Sequence, residues 1–332
     1  MTNLDLIEKN ELSSEAKGGT EIMMERIYSS LSRDLLKEVQ IIPSRVRTLS
    51  QDKVRIFYAH DLAGDPEADA AVGNGEWYRF HRCVFVSNWQ MQQYINHYKI
   101  PWSKCKVILN AIEPISLVNK TQKEPIKLIY TSTPHRGLDV LCGAFEHLQK
   151  NNKAEGVHLE VFSSFGIYGS NWVQRDQDFK PLIDWLNDNP QATYHNSVSN
   201  EELRSVLQQA DIFAYPSTWP ETSSLCLMEA MSAGLLCAHS NFGALAETAA
   251  NTTFMYQFHE DKTSHAVRFA GVLMLAIEGV RKGWERDNMA KQYADRCYNW
   301  ENRKNEWKIF LEGLLKEPRE LNKPEERFIY RS

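Results

Sequence analysis

The chain has 332 residues, a formal charge of −5, and 42% hydrophobic and 24% charged residues. This length suits two domains, each with its own core, and the charge pattern, which lacks a Lys/Arg-rich stripe, gives no indication of nucleic-acid binding. No apolar run approaches the roughly 20 residues of a membrane-spanning helix, and the N-terminus lacks the apolar core of a signal peptide. Six cysteines are scattered without a CxxC motif, which predicts reduced thiols and a cytoplasmic protein.

The beginning of the chain predicts a helix preceded by two glycines. Residues 1–17 are polar and show no strand pattern, and the helical spacing of apolar residues starts directly after Gly18 and Gly19. Two adjacent glycines let the backbone approach a phosphate or a sugar closely. By itself, the pair is more typical of a simple turn.

Three short apolar segments then predict strands of a parallel sheet, at residues 54–59, 83–87 and 106–110. His60 follows the first of them, at the carboxyl edge where ligands collect in open α/β sheets. It is a candidate site residue, although a single histidine in that position is as often structural. The segment from Asp65 to Asp69 is interpreted as a loop, and no motif that would hold a divalent metal is found.

A polar stretch with two prolines, residues 113–125, predicts a linker. A new strand, residues 126–130, begins a second series of strands and helices after it. The loop that follows this strand contains Arg136 immediately before a helical pattern, well placed to hold a phosphate with its planar guanidinium. A surface arginine near a helix start is the simpler explanation of this loop alone.

The stretch from Asp211 to Gly234 carries the most information. A predicted strand, 211–215, leads through a proline-containing loop into a helix, and Glu221 and Glu229 lie on either side of the helix start with seven residues between them. Ser223 or Ser224 can cap the helix. Strand, loop and helix N-terminus together favour anion binding, although a plain β-loop-α connection has the same outline.

With these residues in view, the segment from Glu201 to Thr248 resembles the nucleotide-sugar half of retaining glycosyltransferases of family 4. The resemblance rests on the Glu-x7-Glu element formed by Glu221 and Glu229, on the Glu-Ala-Met-Ser-Ala-Gly continuation, and on the later Gly243 and Glu247. Weaker matches are Gly18-Gly19, Val86-Ser87, Asn110 to Glu113, Arg136-Gly137 where Lys-Gly is common, and Trp300-Glu301. The implied fold is α/β of the GT-B type, with two Rossmann-like doubly wound domains that face each other across a cleft.

The resemblance implies a role for each matching residue. Glu221 would contact hydroxyls of the transferred sugar, Glu229 the ribose of the nucleotide, and Arg136 the leaving diphosphate. His60 would lie near the donor sugar. The other implied donor-binding residues are Gly18, Gly19, Ser132, Thr133, Thr222, Ser223, Ser224 and Leu225, and those implied near the base are His195, Ser197 and Val198.

Three departures from the family pattern affect these expectations. The loop before Arg136 lacks the second cation that the family commonly has, so Arg136 is expected to act alone or with the hydroxyls of Ser132 or Thr133. The first strand, which normally precedes the Gly-Gly loop, is missing or degraded. The N-terminal half is also short, which leaves the acceptor unidentified.

We therefore predict a reduced N-terminal Rossmann-like acceptor domain (1–115), a linker (116–125), a nucleotide-sugar domain (126–298), a crossover helix (299–318) and a tail (319–332). The predicted function is metal-independent, retaining transfer of a sugar from a nucleotide-diphosphate sugar to an unknown acceptor, without a cofactor. The acceptor classes left open are a glycan, a lipid-linked sugar, a protein and a small molecule. Two alternatives are a catalytically silent sugar-nucleotide-binding protein and a GT-B sugar-nucleotide epimerase.

Overall fold

The computed structural model describes residues 3–7, 12, 15–46, 48–120 and 125–321. Backbone contacts divide the chain into two compact units. The first consists of Met1–Ser13, Thr20–Leu109 and Lys304–Ser332, and the second of Ser14–Gly19 and Asn110–Arg303. Residues 121–124 of the predicted linker, and the predicted tail beyond residue 321, lie outside the described residues.

The described part of the first unit contains a parallel sheet whose strand order follows the chain. Its strands are β1 (Val39–Pro43), β2 (Val54–Ala59), β3 (Arg82–Phe85) and β4 (Cys105–Val107). Its helices are α2 (Arg33–Lys37), α3 (Pro66–Val72), α4 (Asn88–Tyr98) and all but the first residue of α1 (Gly19–Ser30). All five residues of β1 are buried, as expected for a parallel strand that is covered on both faces. Within the described residues no strand precedes α1.

Two local predictions in this unit are wrong. The segment from Asp65 to Asp69 is not a loop, because it begins α3: Asp65 is the N-cap, its Oδ1 accepts a hydrogen bond from the Glu67 N–H at 2.9 Å, and Pro66 occupies the first turn. Both residues are typical of a helix start. The strand predicted at 106–110 is instead β4, which ends at Val107.

The second unit contains a parallel sheet in the order β10-β9-β8-β5-β6-β7. Its strands are β5 (Ile126–Tyr130), β6 (Val157–Val161), β7 (Ala192–Tyr194), β8 (Ile212–Tyr215), β9 (Leu236–Ser240) and β10 (Phe254–Tyr256). Counted from its own first strand, this is the 3-2-1-4-5-6 order of the Rossmann fold. The order therefore reverses between β5 and β8, which are hydrogen-bonded neighbours.

The helices of this unit lie between successive strands, except for the last two, which follow β10. They are α5 (Leu138–Lys150), α6 (Lys180–Asp188), α7 (Asn200–Gln209), α8 (Leu225–Ser232), α9 (Leu245–Ala249), α10 (Lys262–Arg281) and α11 (Met289–Cys297). A last helix, α12 (Trp300–Leu314), starts in the second unit and continues into the first. Within the described residues, no helix combines the length and the apolar character that a membrane crossing demands.

Candidate active site

The sequence-predicted residues Arg136 and Glu221 lie at the reversal point of the second sheet. Arg136 follows the carboxyl end of β5, and Glu221 follows the carboxyl end of β8. Because the two strands are neighbours, their loops leave the sheet side by side. In open α/β sheets, ligands bind at this edge and at this reversal point.

Gly137 allows the two loops to pack closely. It has φ +116°, and a Cβ on it would lie 2.2 Å from the carbonyl oxygen of Pro216 in the loop after β8. The Thr218 hydroxyl of that loop donates to the carbonyl oxygen of His135 at 3.1 Å. Only glycine is compatible with this backbone and this approach, so Gly137 fixes the loop of Arg136 against the loop of Glu221.

Glu221 is held by its backbone and by its side chain. It forms a parallel bridge with Gly243, and its carbonyl oxygen accepts from the Ala244 N–H at 2.7 Å. The carboxylate is 5% exposed by residue and accepts from Nη1 of Arg136 at 2.9 Å and from the hydroxyl of Tyr215. The glutamate is therefore preorganised before any ligand arrives.

The surroundings of Arg136 favour its charged form. Burial lowers the pKa of the Arg136 guanidinium, but the carboxylate of Glu221 offsets this effect, and the pKa is raised well above its usual value. Burial, reinforced by the same carboxylate, raises the pKa of Tyr215, which keeps its proton for the hydrogen bond. His135 has its pKa lowered to about 4 by burial and by the neighbouring Arg136 and Arg175, so it is neutral at pH 7.

Several polar atoms at the carboxyl ends of β5 and β6 are buried and have no hydrogen-bond partner among the described residues. They are Oγ1 of Thr131, Oγ1 of Thr133, Nδ1 of His135, Nε of Arg136 and Oγ of Ser163. All of them lie in the loops that follow β5 and β6. Buried polar atoms are usually hydrogen-bonded, so these two loops hold hydrogen-bonding capacity that the described residues do not use. Ser132, which belongs to the same loop, is half-buried.

The start of α8 adds backbone donors to the same region. Of the two capping candidates, Ser224 is the N-cap, and its Oγ accepts from the Leu227 N–H at 3.4 Å. Thr222, Ser223 and Leu225 form the rest of the turn into the helix. The positive end of the helix dipole therefore lies beside Glu221 and Arg136.

Glu229 has a different partner from Glu221. Its Oε1 accepts from Nη1 of Arg204 on α7 at 3.1 Å, and Nη2 of Arg204 also donates to the carbonyl oxygen of Glu113 at 2.8 Å. Arg204 was not identified from the sequence, because nothing in the spacing along the chain relates α7 to α8. The two glutamates of the Glu-x7-Glu element are thus bound by two different arginines.

The glycine pair belongs by its contacts to the second unit. The Lys17 N–H donates to the carbonyl oxygen of Ile167 at 2.9 Å, which attaches the segment to the loop after β6. A Cβ on Gly19 would lie 3.4 Å from Cδ1 of Leu225, the first residue of α8. The structure therefore brings Gly19, and with it the adjoining Gly18, to the helix start that carries the candidates from Thr222 to Leu225.

The base-proximal candidates follow β7 at the end of the sheet. The His195 ring stacks on Phe162, with centroids 4.3 Å apart and planes 7° apart, and its Nε2 hydrogen-bonds Oε2 of Glu160. Ser197 and Val198 continue this loop, and Oγ of Ser197 would lie 3.3 Å from a Cβ on Gly166. The stacking partner Phe162 was not predicted.

His60 lies in the first unit, at the carboxyl end of β2. Its backbone N–H donates to Oγ of Ser44 at 2.9 Å, and its ring packs edge-on against Tyr58 at 4.3 Å. Burial lowers its pKa to about 3, so the ring is neutral at pH 7. Its contact with a donor sugar stays a prediction.

Aromatic side chains that the sequence did not single out surround Arg136. The Trp219 ring lies 5.8 Å from the guanidinium, and the Tyr168 hydroxyl accepts from Nη2 at 3.4 Å. Trp219 is in a loop and Tyr168 in a short 3-10 helix, where no periodic pattern marks a side chain as functional. In the part of the chain that is described, no group of three His, Cys, Asp or Glu side chains is arranged to hold a metal ion.

Comparison with known proteins identifies the family. The sequence profile of the glycosyl transferases group 1 matches residues 113–293, which is more than half of the chain, and the chain belongs to this family. No curated protein sequence matches it.

Solved structures with a similar fold are glycosyltransferases of the GT-B type. A pneumococcal O-GlcNAc transferase in complex with UDP and GlcNAc is 15% identical, with a TM-score of 0.60 over 76% of this chain and 48% of that chain. HepE from Anabaena in complex with UDP-glucose is 15% identical, with a TM-score of 0.62 over 79% and 72%. Sucrose-phosphate synthase from Thermosynechococcus elongatus is 14% identical, with a TM-score of 0.63 over 80% and 68%. The chain spans about half the length of the pneumococcal enzyme.

Proposed function

We propose that this group 1 glycosyltransferase is a retaining, metal-independent enzyme of family 4 that transfers a sugar from a nucleotide-diphosphate sugar to an acceptor hydroxyl. The observation that carries the proposal is the pairing of Arg136 with Glu221 at the reversal point of the second sheet, 2.9 Å between Nη1 and Oε1. One cation and one carboxylate at this edge match the two ends of the bond that breaks, a diphosphate and a sugar.

Arg136 can bind the diphosphate while it keeps Glu221. A guanidinium has five N–H donors. In Arg136, Nη1 donates to Glu221 and Nη2 to Tyr168, and each of these nitrogens has a second N–H for a phosphate oxygen. As the sugar–oxygen bond breaks, negative charge grows on the diphosphate oxygen. A fixed cation and a helix N-terminus stabilise that charge without reorganising.

Neutral hydrogen-bond donors support the single cation. The hydroxyls of Thr131, Thr133 and Ser163, in the loops that follow β5 and β6, are buried and have no partner among the described residues. Hydroxyl donors and the α8 backbone would hold the phosphate oxygens in place of the family's second cation. This is the basis for proposing transfer without a metal.

Glu221 acts on the sugar. Its carboxylate is fixed by Arg136 and Tyr215, so its remaining lone pairs can accept hydrogen bonds from sugar hydroxyls. A carboxylate at this position also tolerates the positive charge that develops on the sugar ring. Glu229 is proposed to hold the ribose, and the loop of His195 to lie near the base.

UDP-sugars are the donors to test first. The Anabaena protein was solved with UDP-glucose and the pneumococcal enzyme with UDP. A thermal-shift screen of UDP-, GDP-, ADP- and dTDP-sugars would rank the candidate donors, because a bound donor stabilises the folded state. Transfer is tested by nucleoside diphosphate release with and without an acceptor panel of glycans, lipid-linked sugars, proteins and small molecules. We expect release that depends on the acceptor, and NMR of the product should show the donor's anomeric configuration. Donor binding without release on any acceptor would favour the silent binding protein, and an inverted product would contradict retention.

A further inference from the structure

A pocket of about 350 Å³ lies at the amino-terminal edge of the second sheet. It is lined by the first residues of β9 and β10 and by the segment that leads into α11. Arg136 and Glu221 follow the carboxyl ends of strands in the same sheet, so the pocket lies at the opposite edge. The strands β8 and β9 pair from Ile212–Leu236 to Tyr215–His239, which separates the two edges by at least about 10 Å.

One wall of the pocket is a pair of stacked aromatic rings. Phe254 and Trp284 have ring centroids 5.7 Å apart and planes 15° apart. The indole also lies on α10, because a Cβ on Gly279 would be 3.0 Å from its Cε3. Trp284 nevertheless remains 52% exposed. It is a packed but partly accessible aromatic side chain, which is the kind of surface that contacts the C–H groups of a ring-shaped ligand at low entropic cost.

Asn288 supplies hydrogen-bond donors to the pocket. Its Oδ1 caps α11 by accepting from the Lys291 N–H at 3.0 Å. This contact fixes the orientation of the amide, and Nδ2 is buried without a partner among the described residues. A buried donor without an acceptor is costly, so a ligand oxygen that reaches Nδ2 once the neighbouring side chains shift to uncover it would be stabilising.

Two threonines supply acceptors. The Thr252 hydroxyl donates to the carbonyl oxygen of Ala249 at 2.7 Å. Thr253 Oγ1 lies 2.7 Å from Nε2 of His239, whose Nδ1 faces the carbonyl oxygen of Ser240. Because that carbonyl can only accept, Nδ1 carries the proton of the neutral ring, and Thr253 donates to Nε2. Both hydroxyl protons are thus used in hydrogen bonds within the protein, and the remaining oxygen lone pairs of Thr252 and Thr253 can accept from a ligand.

We propose that this pocket is a second carbohydrate-binding site that takes a neutral sugar residue. An amide donor beside hydroxyl acceptors fits a ligand group that both donates and accepts, which is a hydroxyl. No charged residue lines the pocket, so a sugar without a carboxylate or an amine matches better than an anion or a cation. The volume is within the range of small-ligand sites. The site would hold a saccharide while the opposite edge of the sheet stays open, and it does not depend on the proposed transfer reaction.

Saturation-transfer NMR with methyl glycosides of glucose, galactose, mannose, rhamnose, fucose and N-acetylglucosamine tests the proposal, with UDP added to compete at the other edge. At least one glycoside is expected to bind in the presence of UDP. Trp284→Ala should weaken its Kd at least tenfold. Asn288→Ser keeps a capping oxygen but removes the amide donor, and should weaken the Kd about threefold to tenfold.

Two control variants test whether the glycoside binds at this pocket and nowhere else on the chain. Trp102→Ala removes an indole that is 63% exposed in the first unit, and it should leave the Kd unchanged. Arg136→Ala should also leave it unchanged, even if the proposed transfer reaction is wrong. The inference is overturned if none of the six glycosides binds, or if binding survives both Trp284→Ala and Asn288→Ser. It is also overturned if light scattering finds a dimer that Trp284→Ala dissociates, because the indole would then belong to a protein interface.

Discussion

Nη1 of Arg136 lies 2.9 Å from Oε1 of Glu221, although 85 positions separate the two residues in the chain. The contact joins the loop after β5 to the loop after β8, and the Arg136 side chain is 26% exposed, whereas that of Glu221 is 6% exposed. The carboxylate therefore orients a guanidinium that still has an accessible side.

Replacing Arg136 should lower turnover, and it should also cost stability, because the buried carboxylate of Glu221 loses its cation. Arg136→Ala removes the cation that we propose for the leaving diphosphate, and loss of one such stabilising group lowers kcat by about 10²–10³-fold. Arg136→Lys keeps the charge but loses the planar fork, so its kcat should lie between those of Arg136→Ala and the unchanged enzyme. The measurement is nucleoside diphosphate release at saturating donor.

A surface arginine provides the control for this comparison. Arg33 forms an exposed ion pair with Asp5, and Arg33→Ala should leave kcat unchanged. Equal rates for Arg136→Ala and Arg33→Ala would remove Arg136 from the proposed mechanism.

The sequence located the members of the site better than their arrangement. Arg136 and Glu221 were both found because each follows an apolar strand and precedes a helix, which is a local signal. Their contact depends on β5 and β8 being neighbours, and strand order is set by long-range packing. The pairing of Glu229 with Arg204 joins two helices and leaves no periodic trace for the same reason.

The error at Asp65 has a different origin. Asp65 and Pro66 carry a local helix-start signal, and this signal outweighs the polar composition that favours a loop. The helix α3 follows from these residues alone. The sequence therefore contained this part of the fold, whereas the Trp219 contact with Arg136 arises from irregular loops and could not be predicted.

Gly243→Ala should destabilise the fold by distorting the backbone that holds Glu221. Gly243 has φ +67°, and a Cβ on it would lie 2.5 Å from the backbone nitrogen of Glu221. The left-handed conformation alone costs about 1–2 kcal/mol for alanine. The clash adds to this cost, and we expect a loss of more than about 3 kcal/mol in the free energy of unfolding, measured by urea denaturation, together with loss of turnover.

Gly283→Ala separates the clash from the backbone strain. Gly283 has φ +73°, and nothing lies within 4 Å of the Cβ position. This variant should lose only about 1–2 kcal/mol. If both variants lose the same free energy of unfolding, the contact between the new Cβ at position 243 and the backbone of Glu221 adds nothing to the cost of the substitution.

Lys291→Met should destabilise the second unit through a buried network. Nζ of Lys291 donates to the carbonyl oxygens of Ile115 at 2.7 Å and Ser232 at 2.6 Å, and to Oδ2 of Asp295 at 2.8 Å. The lysine side chain is 11% exposed. Removing it leaves a carboxylate and two carbonyl groups without this donor, which costs about 3 kcal/mol. Lys150→Met, which breaks an exposed pair with Glu146, should cost less than about 0.5 kcal/mol in the same urea experiment.

His239 should make the protein less stable in mild acid. It is 0% exposed, and burial lowers its pKa to about 4, against about 6.5 in the unfolded chain. Below pH 6.5, His239 is therefore protonated in the unfolded state but not in the folded state. The free energy of unfolding falls with decreasing pH as a result. The loss amounts to about 3 kcal/mol by pH 4, where the folded state begins to take up the proton as well.

Urea denaturation between pH 7.5 and 4.5 measures this loss for wild type and for His239→Gln. The glutamine offers a donor and an acceptor but does not titrate. The unfolding free energy of His239→Gln should therefore depend less steeply on pH, with a slope smaller by the equivalent of up to one bound proton. His147 is exposed on α5, and His147→Gln should keep the wild-type slope. Since burial also lowers the pKa of His265 to about 4, some acid sensitivity should remain in His239→Gln. A slope that is identical in all three proteins would mean that the buried imidazole of His239 does not link protonation to folding.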